Sequence, residues 1–125
     1  MAIFVFGSNE SGIHGAGASL YARKVHGAKL GQGFGRSGNS FAIPTTDWKV
    51  DTLPIPVIAF YVKRFFDYAY FNPEIFHLTK IGCGLAGHKE SDIAQLFVKA
   101  PQNVKLIDEQ QNVICLASEW YGNSL

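Results

Sequence analysis

Twice along this chain a short apolar run stops at a glycine-rich loop and resumes with helical periodicity. Residues 2–6 (Ala-Ile-Phe-Val-Phe) are continuously apolar and rich in β-branched and aromatic side chains. That is the pattern of a strand buried on both faces, as in a parallel sheet. The run ends at Gly7-Ser8-Asn9 and passes through Gly12, Gly15 and Gly17; Ala18, Tyr21, Ala22 and Val25 then repeat at helical spacing, with Gly27 closing the helix. Residues 75–81 predict another strand, which runs into Gly82-Cys83-Gly84-Leu85-Ala86-Gly87. A short helix follows, with Ser91 as its candidate N-cap and Ile93, Leu96 and Phe97 facing inward. Strand–loop–helix units in series argue for a mostly parallel sheet flanked by helices, with right-handed crossovers.

The remaining segments fit the same frame. Residues 31–38 hold four glycines and Arg36 and read as a further loop, and Phe41 to Ile43 as a short strand ended by Pro44. Pro54 and Pro56 suit the first turn of a helix, where a missing N–H costs little. Ile55, Ile58, Ala59, Val62, Phe65, Phe66 and Ala69 then trace one apolar stripe, with Lys63, Arg64 and Asp67 on the wet side. Asn72-Pro73 breaks this helix. Residues 104–107 and 113–116 predict two last strands around a polar turn at 108–112. The expectation is one α/β domain over residues 1–125, a three-layer α/β/α arrangement with a mostly parallel or mixed central sheet. Loops 7–17, 44–47 and 82–87 leave the carboxyl ends of strands, the edge where open α/β sheets place their ligands.

Bulk composition narrows the function classes. A chain of 125 residues has room for one domain, and 47% hydrophobic content with 10 Phe supplies a core. Lys plus Arg number 11 against 10 acidic residues, so there is no general attraction for nucleic acid or an anionic membrane, and an anion must be recognised locally. No apolar stretch approaches the roughly 20 residues that span a bilayer. Cys83 and Cys115 are far apart and the first residues do not read as a signal segment. The expectation is a soluble, cytoplasmic protein with free thiols and a small-molecule partner. Four scattered His and two distant Cys match no zinc spacing; neither metal nor cofactor is expected.

Glycine loops before helices let the backbone approach an anion near unpaired N–H groups. The bland alternative is a tight turn in which glycines only permit packing. No Gly-Lys-Ser/Thr makes a Walker loop, and His14-Gly-Ala-Gly17 lacks the later glycine of a dinucleotide fingerprint. Taken together, Gly15-Ala16-Gly17 after an early strand and Lys80-Ile-Gly-Cys-Gly-Leu85 before a helix make the chain resemble a macrodomain over most of residues 3–107. The resemblance is to the small branch with terminal ADP-ribose glycohydrolases and ADP-ribose 1″-phosphate phosphatases. It implies that Gly82, Cys83, Gly84 and Leu85 offer backbone N–H groups to a diphosphate. It also implies that Ser8 and Asn9 approach a ribose, and that Gly15, Ala16 and Gly17 flank the diphosphate and distal ribose. Gly12, Thr45, Thr46 and Ala86 complete the expected contact set. Ala86 stands where glycohydrolases of this branch carry an Asp, and Thr45 or Thr46 where they use a Lys; the adenine-holding Gly-Asp motif of many macrodomains is absent.

Outside the resemblance, His14 is the candidate catalytic group. A loop imidazole acts as a general acid or holds a phosphate, or simply bonds to backbone; both readings stay open. Asp47 reads as a turn residue before it reads as a base, Cys83 as a backbone donor before a nucleophile, and His26, His77 and His88 as structural or surface groups. Phe34, Trp48 and Trp120-Tyr121 are possible stacking surfaces for adenine; most aromatics in a chain this rich in Phe are core, and only the loop-borne Phe34 and Trp48 stand out. Arg36 is a candidate phosphate partner or a solvated side chain. The expected function is binding of ADP-ribose or a relative with hydrolysis of a 1″-phosphate or ADP-ribosyl group. The alternatives are a non-catalytic binder of such a nucleotide, or a protein-interaction domain.

Overall fold

Two-sided burial makes the first apolar run a central strand. In the computed structural model, which describes residues 2–15, 17–84 and 86–124, β1 (Ile3–Asn9) alternates its side chains between two cores. Ile3 and Val5 join one core and Phe4 and Phe6 the other, as the period of two requires. Parallel neighbours lie on both sides of it: β3 (Ser40–Thr46) on one and β4 (Phe76–Leu78) on the other. A further parallel strand, β5 (Val104–Ile107), lies beyond β4. The edges are closed by the antiparallel β2 (Gly35–Ser37) and β6 (Val113–Leu116). The sheet is mixed, in the order β2-β3-β1-β4-β5-β6, and the class is α/β as expected.

The helices divide between the two cores. Ala22 of α1 (Gly17–Val25) packs with Phe4 and Phe6. From α2 (Ile55–Tyr70), Ile58, Val62, Phe65 and Ala69 pack with Ile3, Val5, Phe41 and Ile43. The Pro54 N-cap of α2 makes no side-chain cap bond, so this helix is held by its apolar face, each large buried side chain contributing about 1.5–3 kcal/mol. Ile93 of α3 (Glu90–Gln95), Phe97, and Trp120 of α4 (Trp120–Asn123) extend the same core. Because α1 and α2 carry the chain to opposite faces, a crevice is left at the carboxyl ends of the parallel strands.

Several local expectations are corrected. Pro44 does not end its strand: β3 runs on to Thr46, because β2 reaches only as far as Ala42 and no β2 partner needs the N–H that Pro44 lacks. Residues 35–37 are an edge strand rather than loop, imposed by pairing with β3. β4 is three residues long, since both the amide and the Oγ1 of Thr79 donate to the Val5 carbonyl (3.0 and 2.8 Å) and turn the chain out. The N-cap of α3 is Lys89, placing Ser91 inside its first turn. No helix among the described residues is long and apolar enough to cross a membrane.

Candidate functional site

The four parallel strands β3, β1, β4 and β5 end at one edge, and the segments leaving them line a cleft of about 1170 Å³. The three segments expected at this edge all reach it, although residues 7–9 and 44–46 are the ends of β1 and β3 rather than loop. Of the sequence-derived contacts, Ser8, Asn9, Gly15, Gly17, Thr45, Thr46, Gly82, Cys83, Gly84 and Ala86 line it. Ala16 and Leu85 lie outside the described residues.

Asn9 organises the first loop. Its Oδ1 accepts the Ile13 N–H (2.9 Å) and the Ser11 hydroxyl (2.8 Å), and its Nδ2 donates to the Ile13 carbonyl (2.7 Å). Segment 31–33 packs beneath: the Ser8 hydroxyl donates to the Gly33 carbonyl, and the Gly31 N–H to the Gly12 carbonyl at 2.9 Å. A Cβ on Gly12 would lie 2.3 Å from the Gln32 nitrogen. Gly12 therefore serves this close approach and does not line the cleft, contrary to its expected place among the contacts. A Cβ on Gly15 or Gly17 would meet no atom within 4 Å.

His14 is also displaced from its expected role. Only 1% of it is exposed, its ring meets the Phe6 ring edge-on at 5.3 Å, and it does not line the cleft. Burial holds its pKa below the ordinary value; the Gln32 backbone lies nearby, yet neither ring nitrogen reaches hydrogen-bond geometry with a described residue. A loop residue looks solvent-facing in sequence, but here the loop folds its imidazole inward, away from any ligand in the cleft.

The second loop is anchored by Gly82. Its φ of +75° suits glycine, and a Cβ there would press on Ile93 Cδ1 at 2.9 Å. Gly84 is open, with nothing within 4 Å of a Cβ. The Cys83 thiol lies 3.3 Å from the Ile81 carbonyl, and burial, with Glu90 nearby, pushes it up to about 11. It is a neutral thiol at physiological pH, not an activated nucleophile. The Ala86 carbonyl accepts the Thr52 hydroxyl at 2.6 Å, and Thr45 Oγ1 reaches the Ser8 carbonyl at 3.5 Å, so the loops after β1, β3 and β4 are tied together.

The remaining candidates separate. Asp47 is a turn residue: its Oδ1 accepts the amides of Lys49 (2.8 Å) and Asp51 (2.9 Å). Trp48 is exposed on the cleft. Trp120 is core, its Nε1 donating to Glu90 at 2.9 Å. Phe34 packs on Phe41 and Tyr61, and Arg36 pairs with Glu74 at 2.8 Å, outside the cleft. The His88 ring contacts the Leu53 carbonyl at 2.8 Å. What sequence reasoning missed is the turn after β5. Asp108, Glu109, Gln110 and Gln111 form a wall of the cleft, and Gln111 Nε2 donates to the Tyr21 hydroxyl at 2.8 Å. The signal was present: a polar turn at the carboxyl end of a strand parallel to β4 must reach the same edge.

No protein-family model and no curated protein matches this chain. A solved structure described as a protein of unknown function from Bacteroides thetaiotaomicron is similar in fold, with a TM-score of 0.57 at 16% identity over 85% of this chain and 87% of that one.

Proposed function

We propose that this chain is a macrodomain-like binding module whose cleft takes ADP-ribose or a close relative through its diphosphate. Three glycines carry the reading. Gly15 and Gly17 of the first loop and Gly84 of the second line one cleft, and at each the space a side chain would fill is empty. Bare backbone on two facing loops, one of them opening α1, is a means of cradling phosphate oxygens. Lys80 on the same lining adds a positive charge, 3.4 Å from Glu90. The loops are those that carry the macrodomain resemblance in sequence.

Of the two versions of this reading, geometry favours binding over hydrolysis. His14 faces the core, Cys83 is held protonated, and Asp47 caps its own turn. Ala86, Thr45 and Thr46, which occupy the family's acidic and lysine positions, offer no group that titrates near neutrality. Calorimetric titration with ADP-ribose is expected to give saturable binding, with no phosphate released from ADP-ribose 1″-phosphate. Absence of binding to any diphosphate nucleotide overturns the reading, and steady phosphate release restores the hydrolase version.

A further inference from the structure

We propose that Trp48 is the stacking platform for the nucleobase of the bound nucleotide, at the β3 end of the cleft. This rests on the nucleotide reading above and adds where the planar ring lies. Three exposed apolar side chains line that part of the cleft: Ile13, Trp48 and Val50, exposed by 60%, 66% and 62%. They come from adjacent loops, since Asn9 pairs with Thr46 and the Glu10 N–H donates to the Thr46 carbonyl at 3.0 Å.

The platform is built before any ligand arrives. Asn9 clamps the backbone of Ile13. The Asp47 carboxylate holds two amides of the turn that carries Trp48, and Thr52 ties that turn's return segment to Ala86 in the second glycine loop. A pre-ordered turn spares part of the entropy of positioning the indole on binding. The Lys49 ammonium stands over one face of the indole, 4.8 Å from its centroid, so a base stacks on the opposite face with a positive charge behind the ring, a combination suited to an anionic nucleotide.

The opposite end of the cleft differs in chemistry. Asp108, Glu109 and Gln110 present carboxylates and an amide, which repel phosphate and suit sugar hydroxyls. The aromatic ring there, Tyr21, is engaged edge-on with Phe4 and His26 at 5.5 and 5.2 Å, and its hydroxyl accepts Gln111. A base therefore finds at Trp48 the indole face opposite Lys49, on an exposed ring, and at Tyr21 a ring already packed against Phe4 and His26.

Intrinsic fluorescence reads this directly, because the other tryptophan, Trp120, is buried and bonded to Glu90. The full chain is titrated with ADP-ribose and with ribose 5-phosphate, following tryptophan emission and calorimetric heat together. ADP-ribose is expected to quench emission, and ribose 5-phosphate to leave it unchanged. Trp48→Ala is expected to lower ADP-ribose affinity at least about 5-fold and abolish the quench, while Trp48→Phe retains most of the affinity and Tyr21→Leu, at the other end of the cleft, costs less than Trp48→Ala and keeps the quench. Circular dichroism checks that each variant is folded. ADP-ribose heat without an emission change, unchanged affinity in Trp48→Ala, or a larger loss in Tyr21→Leu than in Trp48→Ala overturns the proposal while leaving the nucleotide reading in place. No heat from ADP-ribose with the unaltered chain overturns both.

Discussion

Val50 and Gln111 occupy the same position in two turns of one design. Each is in the left-handed region, with φ of 66° and 65°. Each turn opens with an Asp whose Oδ1 accepts the amides two and four residues on: Lys49 and Asp51 from Asp47, Gln110 and Asn112 from Asp108. The backbone bonds repeat as well, with Val50 N–H to Asp47 at 3.0 Å and Gln111 N–H to Asp108 at 2.9 Å. The two turns stand at the ends of β3 and β5, on either side of the strands that carry the glycine loops. They are the matched walls of the cleft, one apolar with a nearby lysine, the other acidic.

Left-handed backbone is costly for a β-branched residue, and Val50 is exposed, so little packing compensates. Val50→Gly is expected to raise the melting temperature by a few degrees, the net of about 1–2 kcal/mol of relieved strain against about 0.5–1 kcal/mol of added chain entropy. A lower melting temperature measured by calorimetry would mean that the valine side chain is held by contacts worth more than the strain.

Gly82 and Gly84 are expected to fail differently. Gly84→Val adds a side chain into open cleft, so the melting temperature should stay close to that of the parent while ADP-ribose affinity is lost. Gly82→Ala meets both a φ of +75° and Ile93 at 2.9 Å, and is expected to destabilise by about 1–3 kcal/mol. Urea unfolding and calorimetric titration on the two variants separate the roles. Parent-like binding by Gly84→Val would remove the second loop from the site.

How much of this was legible depended on whether a residue's state was set locally. β1 was legible because a continuous apolar run has few other homes, and α2 because its stripe repeats at helical spacing over four turns. β2 was not, since Gly35-Arg36-Ser37 has no strand pattern of its own and becomes one only by pairing with β3. His14 and Phe34 were misjudged for a shared reason. Both stand in loops that look accessible, yet Phe6 packs against one, and Phe41 and Tyr61 against the other. The convergence of glycine loops followed from strand order, whereas the acidic wall required recognising that the turn after β5 shares their edge.

The α2 face supplies a test of the fold itself. Val62 is 1% exposed and belongs to the core that α2's buried stripe shares with β1 and β3. Val62→Asp introduces an unpaired carboxylate there and is expected to destabilise by several kcal/mol. An unchanged urea midpoint would show that this side chain does not face the core.

One buried and two half-buried histidines give the stability a pH dependence with a definite sign. Burial lowers the pKa of His14, His26 and His77 below 6.5 in the folded protein. Below about pH 6.5 the unfolded chain therefore binds more protons than the folded one, and stability falls as pH drops, until the folded-state values are reached. Above that range the contribution is fully present. His14→Phe removes one of these groups together with two ring nitrogens that find no described partner, and a phenyl ring preserves the edge-on contact with Phe6. The variant is expected to be at least as stable as the parent at pH 7.5 and to lose less stability by pH 5.5, the difference in slope being at most about 1.4 kcal/mol per pH unit, the value of one proton. Urea unfolding at the two pH values measures it. Equal slopes in parent and variant would mean that His14 takes up its proton as readily in the folded state as in the unfolded one, which its 1% exposure does not allow.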